Sequence, residues 1–121
     1  PRFMSSEVKF NTVLNTDGSG LWSDVAMPVP VTGLRLIGPD DEFAELQVAF
    51  DPQVWDISEH GLIYTDRQFL AELRGALSSA GIGDEAAADV EYSEQGMQGM
   101  DYVSLDVGAL FIRAFRDTFL G

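Results

Sequence analysis

The strongest structural signal in the sequence is one amphipathic helix, and its position restricts the fold more than any other feature. Thr65 and Gln68 form a capping box, in which each side chain can bond the other residue's backbone N–H. Apolar residues then recur every three or four positions as far as Ala80, and Gly81 follows where a left-handed residue ends many helices. This spacing predicts a helix over about 66–80.

A second apolar stripe predicts a helix over about 107–119, with Asp106 as its N-cap. Ile112 and Phe119 lie off that stripe and need a cover of their own. A second copy of the chain or the N-terminal strands would supply it, so a homo-oligomer through this C-terminal helix is one expectation. The large side chains expected to be buried on the two helices are Phe69, Leu70, Leu73, Leu77, Leu110, Phe111 and Phe115.

The first half of the chain has the pattern of strands and turns. Residues 7–14 and 45–50 alternate apolar and polar positions, as strands with one buried face do. Pro28 and Pro30 cannot donate to a sheet ladder, so their segment is expected at a sheet edge or as an extended connector. Further short strands are predicted at 21–26, 34–37 and 54–57, together with a hairpin made by 89–93 and 102–105.

Strands followed by helix, hairpin and helix predict an α+β domain. We expect a largely antiparallel sheet with the two amphipathic helices on one face. At 121 residues the chain has the size of one domain. Because Pro1, Arg2 and Phe3 precede Met4, residues 1–3 are expected to be a remnant of an expression vector and 4–121 the single domain. The sequence has no apolar run of membrane-spanning length and no signal-peptide core, which predicts a cytoplasmic protein with no membrane contact.

The charge of the chain excludes several classes of function. It has 20 acidic residues against 7 Lys and Arg, a formal net charge of −13, and no cysteine. Disulfide frameworks and zinc–thiolate sites are therefore excluded, and direct nucleic-acid binding is not expected because phosphate contacts require basic side chains. The acids are divided evenly between the two halves, so they belong to a folded surface. Such a surface favours a protein partner with a basic face, and the alternative is that the charge serves solubility alone.

Two stretches concentrate the acids and supply the candidate partner-binding residues. The first contains Asp40, Asp41, Glu42 and Glu45, and the second contains Asp84, Glu85, Glu91 and Glu94. Met97 and Met100, in a glycine-containing connection, are added as adaptable contact residues.

Asn15, Asp17 and Ser19, followed by Gly20, resemble the opening half of an EF-hand calcium loop. The twelfth position of such a loop is a bidentate Glu, whereas here it is Ala26. The same residue types are typical of tight turns, so the pattern favours a plain turn over a calcium site.

No sequence motif marks an enzyme, and no catalytic residue or cofactor is assigned. His60 is the one histidine, and the common nucleophile, phosphate-binding and metalloprotease patterns do not occur. The first hypothesis is a small acidic, non-enzymatic interaction protein, such as an inhibitor, an immunity-type protein or a DNA mimic. The alternatives are a self-associating structural or assembly subunit of a phage or secretion apparatus, and a carboxylate-based metal-dependent hydrolase.

Overall fold

The computed structural model of the protein describes residues 5–15, 28–38, 41–50, 66–97 and 102–120. Its helices are α1 (Asp66–Ser79), α2 (Asp84–Ala87) and α3 (Ala109–Phe115), and α3 continues as a π-helical turn (Arg116–Leu120). The strands are β1 (Ser5–Asn15), β2 (Pro28–Ile37), β3 (Phe43–Phe50), β4 (Val90–Met97) and β5 (Tyr102–Gly108).

The five strands form one antiparallel sheet in the order β1-β2-β3-β5-β4. The C-terminal hairpin thus inserts β5 beside β3 and leaves β4 at one edge, while β1 forms the other edge. The predicted α+β class, the antiparallel sheet and the β4–β5 hairpin are confirmed. None of the described helices has both the length and the apolar character needed to cross a bilayer.

One face of the sheet and the helices enclose the hydrophobic core. Alternate residues of the central strands point into it, and their register places Leu46 of β3 opposite both Leu36 of β2 and Leu105 of β5. Phe69, Leu73 and Leu77 of α1 are fully buried, as their spacing predicts. The other apolar side chains buried in this core include Phe10, Val31, Leu34, Val48, Phe50, Ile82, Val90, Val103, Val107, Phe111, Ile112 and Phe115.

Helix α1 ends as predicted at Gly81, which has a φ of +114°. The Gly81 N–H donates to the Ser78 carbonyl at 3.1 Å, and the Ile82 N–H donates to the Leu77 carbonyl at 3.0 Å. These two bonds are those of a Schellman motif, and the buried Ile82 supplies its apolar contact. A residue with a Cβ would be strained at position 81.

The start of α3 differs from the prediction. Strand β5 runs through Asp106 to Gly108, so Asp106 is a strand residue and does not cap the helix. The cap comes from Asp89, whose Oδ2 accepts from the backbone N–H of Leu110 at 3.0 Å and of Phe111 at 3.3 Å. A Cβ at Gly108 would lie 2.6 Å from the Asp89 carboxylate oxygens, so glycine permits this approach. The helix begins two residues later than predicted because its cap comes from another segment.

The buried side of α3 also differs from the prediction. Leu110 was expected in the core but is 46 % exposed, whereas Ile112 is only 1 % exposed. Phe119 packs edge-to-face on Phe10 of β1, with ring centroids 6.1 Å apart, and also contacts Phe115. Of the two covers considered for Phe119, the N-terminal strand is therefore the one observed.

Strand β2 is longer and more central than predicted. Residues 28–37 form one strand, and it pairs with β1 along both ends and with β3 from Val31 onward. Pro28 and Pro30 thus pair with β1 but lie beyond the β3 register, which is compatible with their missing N–H groups. The predicted strands at 21–26 and 54–57, together with Trp22, Trp55 and the capping residue Thr65, lie outside the described residues.

Candidate interaction surface

The face of the sheet opposite the core, which we call the open face, carries most of the charged strand residues. Because side chains alternate along a strand, every residue next to a core residue points to this face. On β3 the open-face residues are Phe43, Glu45, Gln47 and Ala49, and on β5 they are Tyr102, Ser104, Asp106 and Gly108. The described helices pack against the other face.

Three carboxylates lie side by side across the open face. Glu45 of β3 is the register partner of Asp106 of β5, and Asp106 is in turn the partner of Glu91 of β4. Directly opposed side chains have their Cβ atoms about 4.5–5.5 Å apart, and like charges in such pairs destabilise a sheet. We call Glu45, Asp106 and Glu91 the acidic row.

Asp106, the central residue of the acidic row, has a raised pKa. Partial desolvation, followed by the charges of Glu45, Glu91 and Glu94, raises the pKa of Asp106 above its usual value of 3.8. All four causes act in the same direction, because each disfavours the ionised carboxylate. Glu94 lines the same cavity as Glu45 and Asp106, so it extends the negative field of the row.

A buried hydroxyl holds one end of the row. Ser104 is fully buried on the open face, and its Oγ donates to Glu45 Oε2 at 2.5 Å. A short bond to an ionised acceptor is among the stronger neutral–charged hydrogen bonds. This bond fixes the position of the Glu45 carboxylate, and Glu45 is half-buried.

An exposed aromatic ring lies next to the row. Phe43, at the start of β3, is 71 % exposed and is opposite Gly108 in the register. Two shallow cavities, of about 450 and 350 Å³, are both lined by Phe43, Ala44 and Asp106. Glu45 and Glu94 line the first cavity, while Glu91 lines the second. The ring and the carboxylates therefore share one concave surface.

The other half of the open face has a different charge. On β1 and β2 it carries Glu7, Lys9 and Arg35, and Arg35 Nη2 lies 3.9 Å from Glu7 Oε1. A cavity of about 290 Å³ lies over Gly33 and Ala49 between Arg35 and Tyr102. Negative charge is thus concentrated on the β3–β5–β4 half, in the acidic row and Glu94.

The structure brings together residues from both predicted acidic stretches and separates others. Glu45 of the first stretch meets Glu91 and Glu94 of the second at the acidic row. Asp84 and Glu85, in contrast, lie at the start of α2 in the helical layer, where Ser78 Oγ donates to Asp84 Oδ1 at 2.9 Å. The second stretch is therefore divided between the two sides of the sheet.

The remaining candidate residues have other positions. Asp41 is exposed, and its Oδ1 lies 2.8 Å from Arg116 Nη1, so a basic side chain already offsets its charge. Glu42 is exposed beside it. Met97 lies at the end of β4 opposite Val103, and Asn15 is the last residue of β1. The candidates outside the described residues are Asp40, Met100, Asp17, Ser19 and His60.

Sequence reasoning missed Asp106 and Phe43 as members of this surface. The strict alternation of Val103, Leu105 and Val107 with polar residues is the signal that places Asp106 on an extended β5. No local signal places Phe43 on the open face, because its exposure follows from the register with Gly108. Large aromatic residues are more often core residues than exposed ones.

Comparisons and metal binding give no further assignment. The chain matches no protein-family model, and no curated protein and no solved structure is significantly similar to it. Across residues 5–15, 28–38, 41–50, 66–97 and 102–120, no three His, Asp or Glu side chains converge closely enough to hold a metal ion.

Proposed function

We propose that the protein is a non-enzymatic interaction protein that binds a basic protein partner through the acidic half of its open face. The observation that carries the proposal is the acidic row, in which Glu45, Asp106 and Glu91 are direct cross-strand neighbours. Opposed like charges reduce the stability of the isolated domain. A partner's Lys and Arg side chains would relieve that repulsion on binding, so the row favours association with a cationic surface.

The form and charge of the surface support this function. The open face has an exposed aromatic ring with charged residues around it. Many protein interfaces have this composition, with aromatic anchors surrounded by polar groups. The net charge of −13 would add long-range attraction to a basic partner and increase the association rate at low salt. The same charge supports the absence of direct nucleic-acid binding. An inhibitor, an immunity-type protein and a DNA mimic all fit this mode of binding, and the proposed compartment is the cytoplasm.

The two alternative functions have less support. Self-association through the C-terminal helix was expected because Phe119 needed a cover, and Phe10 of the same chain supplies one. A carboxylate-based hydrolase would need converging ligands or an acid–base pair, and the acidic row spreads its carboxylates along one line across three strands.

The test is binding of a fluorescein-labelled oligolysine peptide, measured by anisotropy at several salt concentrations. The triple variant Glu45→Gln, Glu91→Gln, Asp106→Asn removes the acidic row. We expect it to lower affinity at low salt by about tenfold or more, and the wild-type affinity to fall steeply as salt rises.

The matched control is Asp84→Asn, Glu85→Gln, Asp117→Asn, which removes the same number of charges from the helical layer. It should lower affinity by no more than about threefold, because only the overall field changes. Equal losses in the two triple variants would contradict the proposal, since binding would then follow net charge and not the open face.

A further inference from the structure

One guanidinium of α1 holds the main chain where α2 leads into β4. Nη2 of Arg74 donates to the carbonyl oxygen of Ala88 at 3.5 Å and also to the carbonyl oxygen of Val90. We call Ala88, Asp89 and Val90 the α2–β4 junction. Hydrogen bonds from a charged donor are stronger than those between neutral groups, so Arg74 ties α1 to this junction through the main chain.

The middle residue of the junction connects to two other elements. The Asp89 carbonyl accepts from the Gly108 N–H at 3.1 Å, and the Asp89 carboxylate caps α3. Because hydrogen-bonded and non-bonded pairs alternate along an antiparallel ladder, the Val90 carbonyl points away from β5. Arg74 bonds this outward-facing carbonyl. The junction therefore lies between α1 on one side and β5 and α3 on the other.

Arg74 is not the side chain that packing alone would favour at its position. Its Nε is buried and has no acceptor in the described part of the chain. A buried donor without a partner destabilises a fold. An unbranched apolar side chain such as methionine would fill the same space without this penalty, so the bonds from Nη2 to the junction are what distinguish an arginine here.

We infer that Arg74 is a positioning residue for α3 and that it acts through Asp89. Arg74 holds the carbonyls immediately before and after Asp89, and it thereby fixes the main chain from which the capping carboxylate projects. The direction of that carboxylate sets where α3 begins. A side chain of α1 thus determines how the second amphipathic helix is placed against the sheet.

Amide hydrogen exchange, measured residue by residue by NMR on the full chain, tests this role. Arg74→Met keeps a long side chain and removes both carbonyl bonds. We expect exchange at the Leu110 and Phe111 amides to become about three- to tenfold faster, because the carboxylate that accepts from them is no longer fixed. The amides of Leu46 and Val48 in the central strand β3 report global unfolding, and their exchange should change by less than about twofold.

Arg67→Met is the matched control, because Arg67 is an exposed residue of the same helix and the same charge is lost. It should leave exchange at Leu110 and Phe111 unchanged. Arg74→Lys is a second variant, which decides the question if Arg74→Met does not fold. The lysine nitrogen is one bond closer to the main chain, so the carbonyl bonds should weaken and the same two amides should exchange faster by a smaller factor.

Two results would overturn a positioning role. The first is an unchanged exchange rate at Leu110 and Phe111 in a folded Arg74 variant. The second is acceleration by the same factor at these two amides and at the β3 amides, since Arg74 would then contribute only to global stability.

A double variant tests whether Arg74 acts through Asp89. In Asp89→Ala the acceptor of both amides is absent, so adding Arg74→Met should cause no further acceleration at Leu110 and Phe111. Factors that multiply in the double variant would show that Arg74 acts independently of Asp89, and the inference would be wrong. No variant in this set changes the acidic row, so the result is independent of the proposed function.

Discussion

The same strands form both faces of the sheet, but neighbouring side chains pack together on the core face and repel each other on the open face. On the core face, Leu46 and Leu105 are direct neighbours and both are fully buried. One residue earlier on β3 and one later on β5, Glu45 and Asp106 are direct neighbours on the open face. Shifting the strands by one residue would turn apolar side chains toward solvent, so the core face fixes the register. The opposed carboxylates are a consequence of that register, and they persist although they destabilise the isolated sheet.

The largest expected difference between the faces is in stability. Leu46→Ala removes a fully buried side chain that lies between Leu36 of β2 and Leu105 of β5, and it should lower the free energy of unfolding by about 2–5 kcal/mol. Gln47→Ala, at the adjacent residue on the open face, should change it by about 0.5 kcal/mol or less. Urea denaturation of both variants makes the comparison. Similar losses would show that the open face is packed as tightly as the core.

A smaller effect is expected at the attachment of the helical layer. Asp89→Ala leaves two N–H groups at the start of α3 without their carboxylate acceptor and should cost about 0.5–2 kcal/mol of unfolding free energy. Asp117→Ala, an exposed acid in the following π-helical turn, is the control and should be near neutral. If the two variants were equally stable, Asp89 would not be the functional cap.

The smallest expected effect has the opposite sign. Asp106→Asn removes the centre of the acidic row and should stabilise the protein at pH 7 by about 0.2–1 kcal/mol. A raised pKa in the folded state means that the folded protein binds the proton more tightly than the unfolded chain. Wild type therefore loses stability relative to the variant as pH rises from about 4 through the raised pKa of Asp106. Urea denaturation at pH 4 and pH 7 measures the change.

Glu85→Gln, which removes a charge from the helical layer, is the control for the loss of one negative charge. Its free energy of unfolding at pH 7 should lie within about 0.5 kcal/mol of wild type. An Asp106→Asn variant that is less stable than wild type at pH 7 would show that the carboxylate makes a favourable contact in the folded protein, and the row would then not be a site of repulsion.

Most of the core was predictable from local pattern. The spacing from Phe69 to Leu77 identified the buried side of α1, and the predicted end at Gly81 matches a helix terminus that is determined by its own residues. The start of α3 was misplaced because it depends on Asp89, which is 21 residues away from Leu110 in sequence. When the capping residue is distant in sequence, the residues next to the helix do not show where it begins.

The candidate site was predictable only in part, and for a related reason. Glu45, Glu91 and Glu94 were selected as members of dense acidic stretches, but sequence density also selected Asp84 and Glu85, which lie in the helical layer. The row is created by pairing β3 with β5, which are about 60 residues apart in sequence, and β5 with β4, which are about 15 residues apart. Clustering of acidic residues in the sequence therefore identified some members of the row. It could not show which of them are neighbours across the strands.

The most direct test of the interaction surface is an amide chemical-shift titration of isotope-labelled protein with an oligolysine peptide. We expect the largest shifts on the acidic row and its neighbours in β3, β5 and β4, while the amides around Asp84, Glu85 and Asp117 change little. Shifts centred on the helical layer, or spread evenly over the acidic residues of both sides, would contradict this expectation.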